Sequence, residues 1–137
     1  MGAYNRPGVQ AACLELQDRH GHCVSYLLWA AWCARAGRLP RGDDLTACAD
    51  LSRSWEDQTL QPSRQRRRAA TDPAEKARLA DAALADEHRL LASLEARTPA
   101  AARPLTVAEG LIAAVQAWGS PAPEPLLAII GAAFPER

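Results

Sequence analysis

The chain has 137 residues, enough for one domain with a single hydrophobic core and too few for two domains with a core each. Sixteen basic residues balance sixteen acidic ones, so the formal net charge is zero. No overall field therefore attracts nucleic acid or anionic lipid, and any electrostatic partner would need a local patch of charge.

The first two predicted elements are helices. Apolar residues recur at spacings of three and four after Pro7, which predicts a helix over residues 8–19 that stops at Gly21. A second helix, residues 23–36, is apolar on nearly every side and ends at Gly37. Because a helix without a polar face belongs in the middle of a bundle, we expect this one to be central.

The middle of the chain predicts a less regular helical stretch followed by a long helix. Residues 45–70 keep a helical stripe, but Pro62 predicts a kink or a break into two helical pieces. Asp72, Pro73 and Glu75 then form a start signal for a helix that continues to about residue 97. The predicted apolar stripe of this helix, in which His88 is expected at the edge of the core, is Ala77, Ala80, Leu84, His88, Leu91 and Leu94.

The C-terminal part predicts two short helices after a linker. Residues 98–104 are rich in proline and alanine, as linkers are. Thr106 with Glu109 forms a capping-box signature that opens a helix to about residue 118. A last helix is predicted over residues 125–134.

Taken in order, these elements predict a compact all-α bundle of six or seven helices. No run alternates apolar and polar residues with the β-branched side chains that strands favour. We expect one domain over residues 1–137, in which the central helix at 23–36 contacts the first helix and one of the helices between residues 62 and 97.

The segment PGVQAACLELQDRHGHCVSYLLWAAWCARAG resembles the signature of an uncharacterised family of short bacterial proteins, known mainly from proteobacteria and described as a domain of unknown function. The resemblance implies an all-helical fold and no activity. Members usually begin with a further aromatic, helical stretch before the position of Tyr4. The resemblance therefore also implies a chain shortened at its start, with apolar surface left uncovered. The matching residues are Pro7, Gly8, Val9, Ala12, Cys13, Leu14, Leu16, Gln17, Asp18, Gly21, Val24, Leu27, Leu28, Trp29, Trp32 and Gly37.

The corner LQDRHGHCV between the first two helices carries several side chains that bind metals or transfer protons. A metal or enzymatic site would use Asp18, His20, His22 and Cys23. Seven helical residues separate Cys13 from His20, about 10 Å along the axis, which is too far for zinc bonds of about 2.0 to 2.3 Å. A metal or enzymatic site is therefore the least favoured of three functional hypotheses, after protein–protein contact and nucleic-acid binding.

A structural turn accounts for the same corner more simply. We expect Gln17 and Asp18 to bridge the turn, with the Asp18 carboxylate capping free backbone N–H groups at the start of the second helix, and Gly21 to end the first. The two histidines would then be solvent-exposed loop residues. The four cysteines would be small apolar core residues.

The sequence QPSRQRRRAA contains the strongest local concentration of charge. Arg64, Arg67 and Arg68 are predicted to share a helix face, whereas Arg66 points away. The cluster could bind phosphates of a nucleic acid, which is the alternative function, or it could pair with acids of the following helix and cover the core. Those acids are Asp81, Asp86 and Glu87.

Protein–protein contact is the leading functional hypothesis. The tryptophans lie mostly in apolar surroundings, but the uncovered surface that the resemblance implies would expose Trp29 or Trp32 as an interaction surface. We expect a non-enzymatic protein with an unknown protein partner or self-association. No phosphate-binding loop or dinucleotide fingerprint occurs, so no cofactor is expected.

The N-terminus and the cysteines predict a cytoplasmic protein. MGAYNRPGV has neither the basic region nor the apolar run of a secretory signal. The longest nearly apolar run, Cys23 to Ala34, has 12 residues, whereas a membrane helix needs about 20. In the cytoplasm the four cysteines would stay reduced.

Overall fold

The computed structural model describes residues 8–134, and every regular element in that range is helical. The predicted all-α bundle is therefore confirmed. No helix in this part of the chain combines the length and apolar character needed to cross a membrane. The elements are α1 Val9–His20, α2 Val24–Ala36, α3 Asp43–Trp55, a π-helical segment Glu56–Leu60, α4 Gln61–Ala69, α5 Pro73–Ala96, α6 Val107–Trp118 and α7 Glu124–Ala132.

The expected truncation before Tyr4 lies outside the described residues, whereas the first helix, predicted over residues 8–19, is confirmed as α1 Val9–His20. Elsewhere the local start signals act as predicted. The Asp72 side chain accepts a hydrogen bond from the Glu75 backbone N–H and begins α5. Thr106 and Glu109 form a complete capping box at the start of α6. These helix starts depend on contacts within a few residues, which explains why the sequence predicts them.

Helix α2 occupies the centre of the bundle, as its composition predicts. Its side chains Tyr26, Leu27 and Ala30 are completely buried. The Tyr26 hydroxyl donates a hydrogen bond of 2.8 Å to the Ala114 carbonyl of α6, so the one buried phenol of this helix has a partner. Burial without loss of hydrogen bonding is what allows a polar atom in the core.

The main partner of α2 is α6, whereas the sequence predicted the first helix and a helix between residues 62 and 97. Helices α1 and α5 do contact α2, but α6 does so more extensively. The reason is a close approach between Gly110 of α6 and Ala34 of α2. A Cβ atom on Gly110 would stand 2.3 Å from the Cβ atom of Ala34, well inside the contact distance of two carbons.

The two helical pieces predicted around Pro62 are present as α3 and α4. A π-helical segment separates them without a loop, so residues 43–69 are helical throughout. At its end, the Gln61 backbone N–H bonds to the Glu56 carbonyl, five residues earlier. A wider turn at this point suits Pro62, because its ring would crowd the carbonyl four residues earlier and it has no N–H to donate.

The predicted apolar stripe of α5 is buried only toward its C-terminal end. Leu94 is fully buried, but Ala77, Ala80, Leu84 and His88 are exposed, so the core-edge position predicted for His88 is wrong. Helix α5 has 24 residues, about twice the length of α1 or α2. It cannot lie against both over its whole length, and part of its apolar stripe remains uncovered.

The contact between Gly110 and Ala34 predicts that Gly110→Ala lowers the free energy of unfolding by about 1 to 3 kcal/mol, the usual cost of overpacking. Gly131→Ala is the matched control, because an added Cβ there meets only Leu111 and Val107, at 3.8 and 3.9 Å. The control should be neutral or slightly stabilising, since alanine favours helix over glycine. Urea denaturation of both variants measures the difference, and equal stability of the two would contradict the close approach.

Candidate functional site

A groove of about 750 Å³ opens between α1, the start of α2, the π-helical segment with α4, and α5. We call it the α1–α5 groove. The residues of α5 that line it extend from Lys76 to Leu91. At 1.5 Å per residue this is about 22 Å, the length of about four helical turns. The groove is therefore elongated along α5.

The walls of the α1–α5 groove carry uncovered apolar side chains. Leu14 of α1 and Leu84 of α5 are 43% and 51% exposed, and both line the groove. Leu28, Leu60 and Leu91 line it as well, and each is buried or half-buried. The aliphatic surface offered to a ligand thus comes mainly from Leu14 and Leu84.

The arginine cluster forms the polar part of the same groove. Arg64, Arg67 and Arg68 line it, and Arg66 does not, which confirms the shared face predicted from the sequence. Lys76 adds a fourth cation from the start of α5. The cluster therefore faces an apolar groove, an arrangement that helical spacing alone could not reveal.

Arg64 forms a largely buried ion pair with Glu56 of the π-helical segment. Their side chains are 17% and 10% exposed, and Arg64 Nη1 donates to Glu56 Oε2 at 3.4 Å. The predicted pairing of the cluster with Asp86 is wrong, because Asp86 pairs with Arg89 on its own helix. Arg64 thus supports the structure, since removing either partner would leave a buried charge uncompensated.

Asp18 contacts α4 and does not cap α2, which corrects the role predicted for it. Its carboxylate accepts a hydrogen bond of 3.3 Å from Arg68 and a weak one of 3.4 Å from Gln17. No side chain caps α2, whose N-cap residue is Cys23. Gly21 does end α1 in the left-handed conformation, with φ of 68°.

Glu87 of α5 lines the groove near the arginines. Burial raises the pKa of its carboxyl, and the positive charges of Arg67 and Arg64 partly oppose this effect. His88 lines the groove beside it. Desolvation disfavours the charged carboxylate of Glu87, so this acid offsets the cations of the groove less readily than an exposed acid would.

His22 is completely buried, contrary to the prediction of a solvent-exposed loop residue. Its Nε2 atom lies 3.2 Å from the Pro121 carbonyl oxygen, and its ring lies 6.0 Å from that of Trp118. Within residues 8–134 the His22 Nδ1 atom has no hydrogen-bond partner. The Trp118 indole donates to the Gly21 carbonyl at 3.1 Å, so this corner is attached to the end of α6.

The residues of the hypothetical metal or enzymatic site do not form a cluster. Across the described range 8–134, no three side chains among His, Cys, Asp and Glu lie close enough to share an ion. His22 and Cys23 are buried, whereas Asp18 is exposed and contacts α4. The structure therefore does not bring together the four residues Asp18, His20, His22 and Cys23.

The two tryptophans predicted as an interaction surface differ in exposure. Trp29 is buried, and its indole donates to the Thr98 hydroxyl at 3.2 Å, so it does not belong to the surface. Trp32 is 44% exposed, with the Arg38 guanidinium 5.6 Å from its ring centroid. Trp32 alone of the pair is available to another molecule.

Comparison with protein families gives one match. Residues 1–98 match the family described as "Protein of unknown function (DUF2390)". The chain belongs to this family. The resemblance found in the segment Pro7 to Gly37 is thereby confirmed, and the match includes every helix that lines the α1–α5 groove. Comparisons with curated proteins and with solved structures gave no match.

The buried His22 of this DUF2390 protein predicts a stability that depends on pH. Burial lowers the pKa of its imidazole below the ordinary 6.5, and the positive charges of His20 and Arg53 contribute to the shift. Below pH 6.5 the unfolded chain binds a proton at this position that the folded chain excludes. The free energy of unfolding should therefore fall as the pH decreases from 6.5 toward the lower pKa of the folded state.

Urea denaturation between pH 8 and 5 checks this expectation against two variants. His22→Gln removes the titrating group and should reduce the pH dependence, whatever its effect on absolute stability. His88→Gln, at an exposed position of α5, should retain the full dependence. Identical pH dependences in wild type and His22→Gln would contradict the assignment.

The cysteines of the DUF2390 protein should react slowly in the folded state. All four are buried, and burial raises the pKa of the Cys13 thiol to about 11 and those of Cys23 and Cys33 to about 12. The reactive thiolate is therefore scarce at pH 8. We expect slow labelling by a chromogenic disulfide in buffer and labelling of four thiols in urea. Ser54→Cys, at an exposed site, should add one rapidly labelled thiol. Rapid labelling of the folded wild type would contradict the predicted slow reaction of the four buried cysteines.

Proposed function

We propose that this protein is a protein-interaction module that binds an α-helix of a partner in the α1–α5 groove. The observation that carries the proposal is the pair of exposed leucines, Leu14 and Leu84, on two helices that line one groove. Each exposes aliphatic surface to water in the free protein. Covering that surface would favour association.

The shape of the groove supports a helix as the ligand. Its extent of about 22 Å along α5 corresponds to four turns of a bound helix. An amphipathic helix in a groove presents apolar side chains at spacings of three and four on a single face. The exposed Leu14 and Leu84 and the half-buried Leu91 offer aliphatic surface to such a face.

Nucleic-acid binding by the arginine cluster has weaker support. Arg64 is engaged in a largely buried pair with Glu56, and Arg68 contacts Asp18. Arg64 is therefore unavailable to a phosphate, whereas Arg68 would have to exchange its exposed carboxylate partner. Among the described residues that line the groove, His88 has the only aromatic ring, so the walls beside the cluster offer little surface on which bases could stack.

A designed peptide tests the helix-binding proposal. The probe is a fluorescein-labelled 18-residue peptide with leucine at positions i, i+3, i+4 and i+7 and with glutamine and alanine elsewhere. Its anisotropy should rise on binding. Leu84→Glu or Leu14→Glu should weaken binding by about tenfold or more, because a charge would replace a leucine that becomes buried in the complex.

The matched control is Ile112→Glu, which changes an exposed apolar residue of α6 outside the groove. It should bind the peptide as wild type does, and thermal melts should show all three variants folded. Absence of peptide binding to the wild type, or equal binding by Leu84→Glu, would refute the proposal. Light scattering of the free protein identifies a second copy as the ligand if Leu84→Glu converts a dimer to a monomer.

A further inference from the structure

The charges that line the α1–α5 groove do not balance, although those of the whole chain do. Four cationic side chains and two carboxylates line it, and the Asp18 carboxylate contacts Arg68 from outside the lining, which leaves an excess of one positive charge with histidine counted as neutral. The net charge of the chain is zero. The groove is therefore a local electropositive region. The six residues are Arg64, Arg67, Arg68, Lys76, Glu56 and Glu87.

The cations of the groove differ in how freely each can bind another molecule. Arg64 is neutralised by Glu56, and that pair is largely buried. The pair of Arg68 with Asp18 is well exposed and 3.3 Å long, and exposed pairs of this kind contribute little and exchange partners readily. Arg67 forms no ion pair with a described residue, although its charge acts on Glu87 at longer range, and it is half-buried within the lining of the groove.

The position of Arg67 sets it apart from its neighbour Arg66. Both lie on α4, but Arg66 is exposed and does not line the groove. A guanidinium held beside aliphatic side chains is partly shielded from water, so its attraction for a carboxylate is less screened there than at the open surface. Lys76 lines the same groove from the first turn of α5.

We infer that the partner helix is acidic, with aspartate or glutamate flanking its apolar stripe on the side that faces Arg67, Arg68 and Lys76. This inference rests on the proposed helix-binding function. The aliphatic walls contact the leucine face of the partner, and the cations of α4 and α5 bind its carboxylates. A basic helix is rejected, because its cations would meet those of the groove.

Three peptides of equal length and identical leucine pattern test the inference. They carry glutamate, glutamine or lysine at the positions that flank the apolar stripe. In 20 mM salt we expect the glutamate peptide to bind about tenfold more tightly than the glutamine peptide, and the lysine peptide to bind least. The preference should shrink markedly in 500 mM salt, where the Debye length is only about 4 Å.

Two substitutions on α4 provide a matched pair of variants. Arg67→Gln should weaken binding of the glutamate peptide by about two- to fivefold and leave binding of the glutamine peptide unchanged. Arg66→Gln removes the same charge from the adjacent position outside the groove and should change neither affinity. Combining Arg67→Gln with Lys76→Gln should remove most of the preference for glutamate.

The outcomes separate this inference from the function on which it rests. Equal binding of the glutamate and glutamine peptides would overturn the acidic partner and leave helix binding standing. Failure of all three peptides would refute helix binding itself. An RNA oligonucleotide that displaces the glutamate peptide, binds more tightly and loses affinity in Arg67→Gln would overturn the inference in favour of a nucleic-acid ligand.

Discussion

The lack of a polar face on α2 determines where the other helices can lie. Each large apolar side chain left in water would cost about 1.5 to 3 kcal/mol, so neighbours must cover this helix on nearly every side. Helix α6 approaches most closely because Gly110 has no side chain to separate it from Ala34. Helices α1 and α5 also pack against α2. Because α5 is longer than its neighbours, its Leu84 side chain remains exposed. The α1–α5 groove is thus a consequence of surrounding α2 with helices of unequal length.

The π-helical segment gives the groove its polar wall. Eight residues separate Glu56 from Arg64, and in a regular α-helix this spacing turns the chain about 80° away from the starting face. The wider π turn takes up about one extra residue, so the spacing acts as seven and brings the two side chains to one face. The ion pair that results positions Arg64 at the groove. Pro62 therefore lies next to the π-helical segment whose wider turn allows Glu56 and Arg64 to pair at the groove.

The sequence predicts those features that depend on residues close together in the chain. The N-cap at Asp72, the capping box at Thr106 and the apolar character of α2 are of this kind. The burial of His22 is not, because it depends on the Pro121 carbonyl, 99 residues away. The same holds for the partner of Asp18, since Arg68 reaches it from another helix. The α1–α5 groove combines four separate elements, so the sequence indicated its arginines as a charged face and the leucines of α5 as an apolar stripe, but not that the two meet in one groove.

The cations of the α1–α5 groove would affect which partner helix is chosen more than how tightly it binds. A chain with zero net charge exerts little attraction at long range, so a partner must first approach the groove closely before the cations act on it. Association energy would then come mainly from covering Leu14 and Leu84, while Arg67 and Lys76 discriminate among helices with similar apolar faces. Because Arg64 is held by Glu56, it shapes the wall without adding a free charge. Only a few side chains are thus left to distinguish an acidic helix from a basic one, although the cluster contains four arginines.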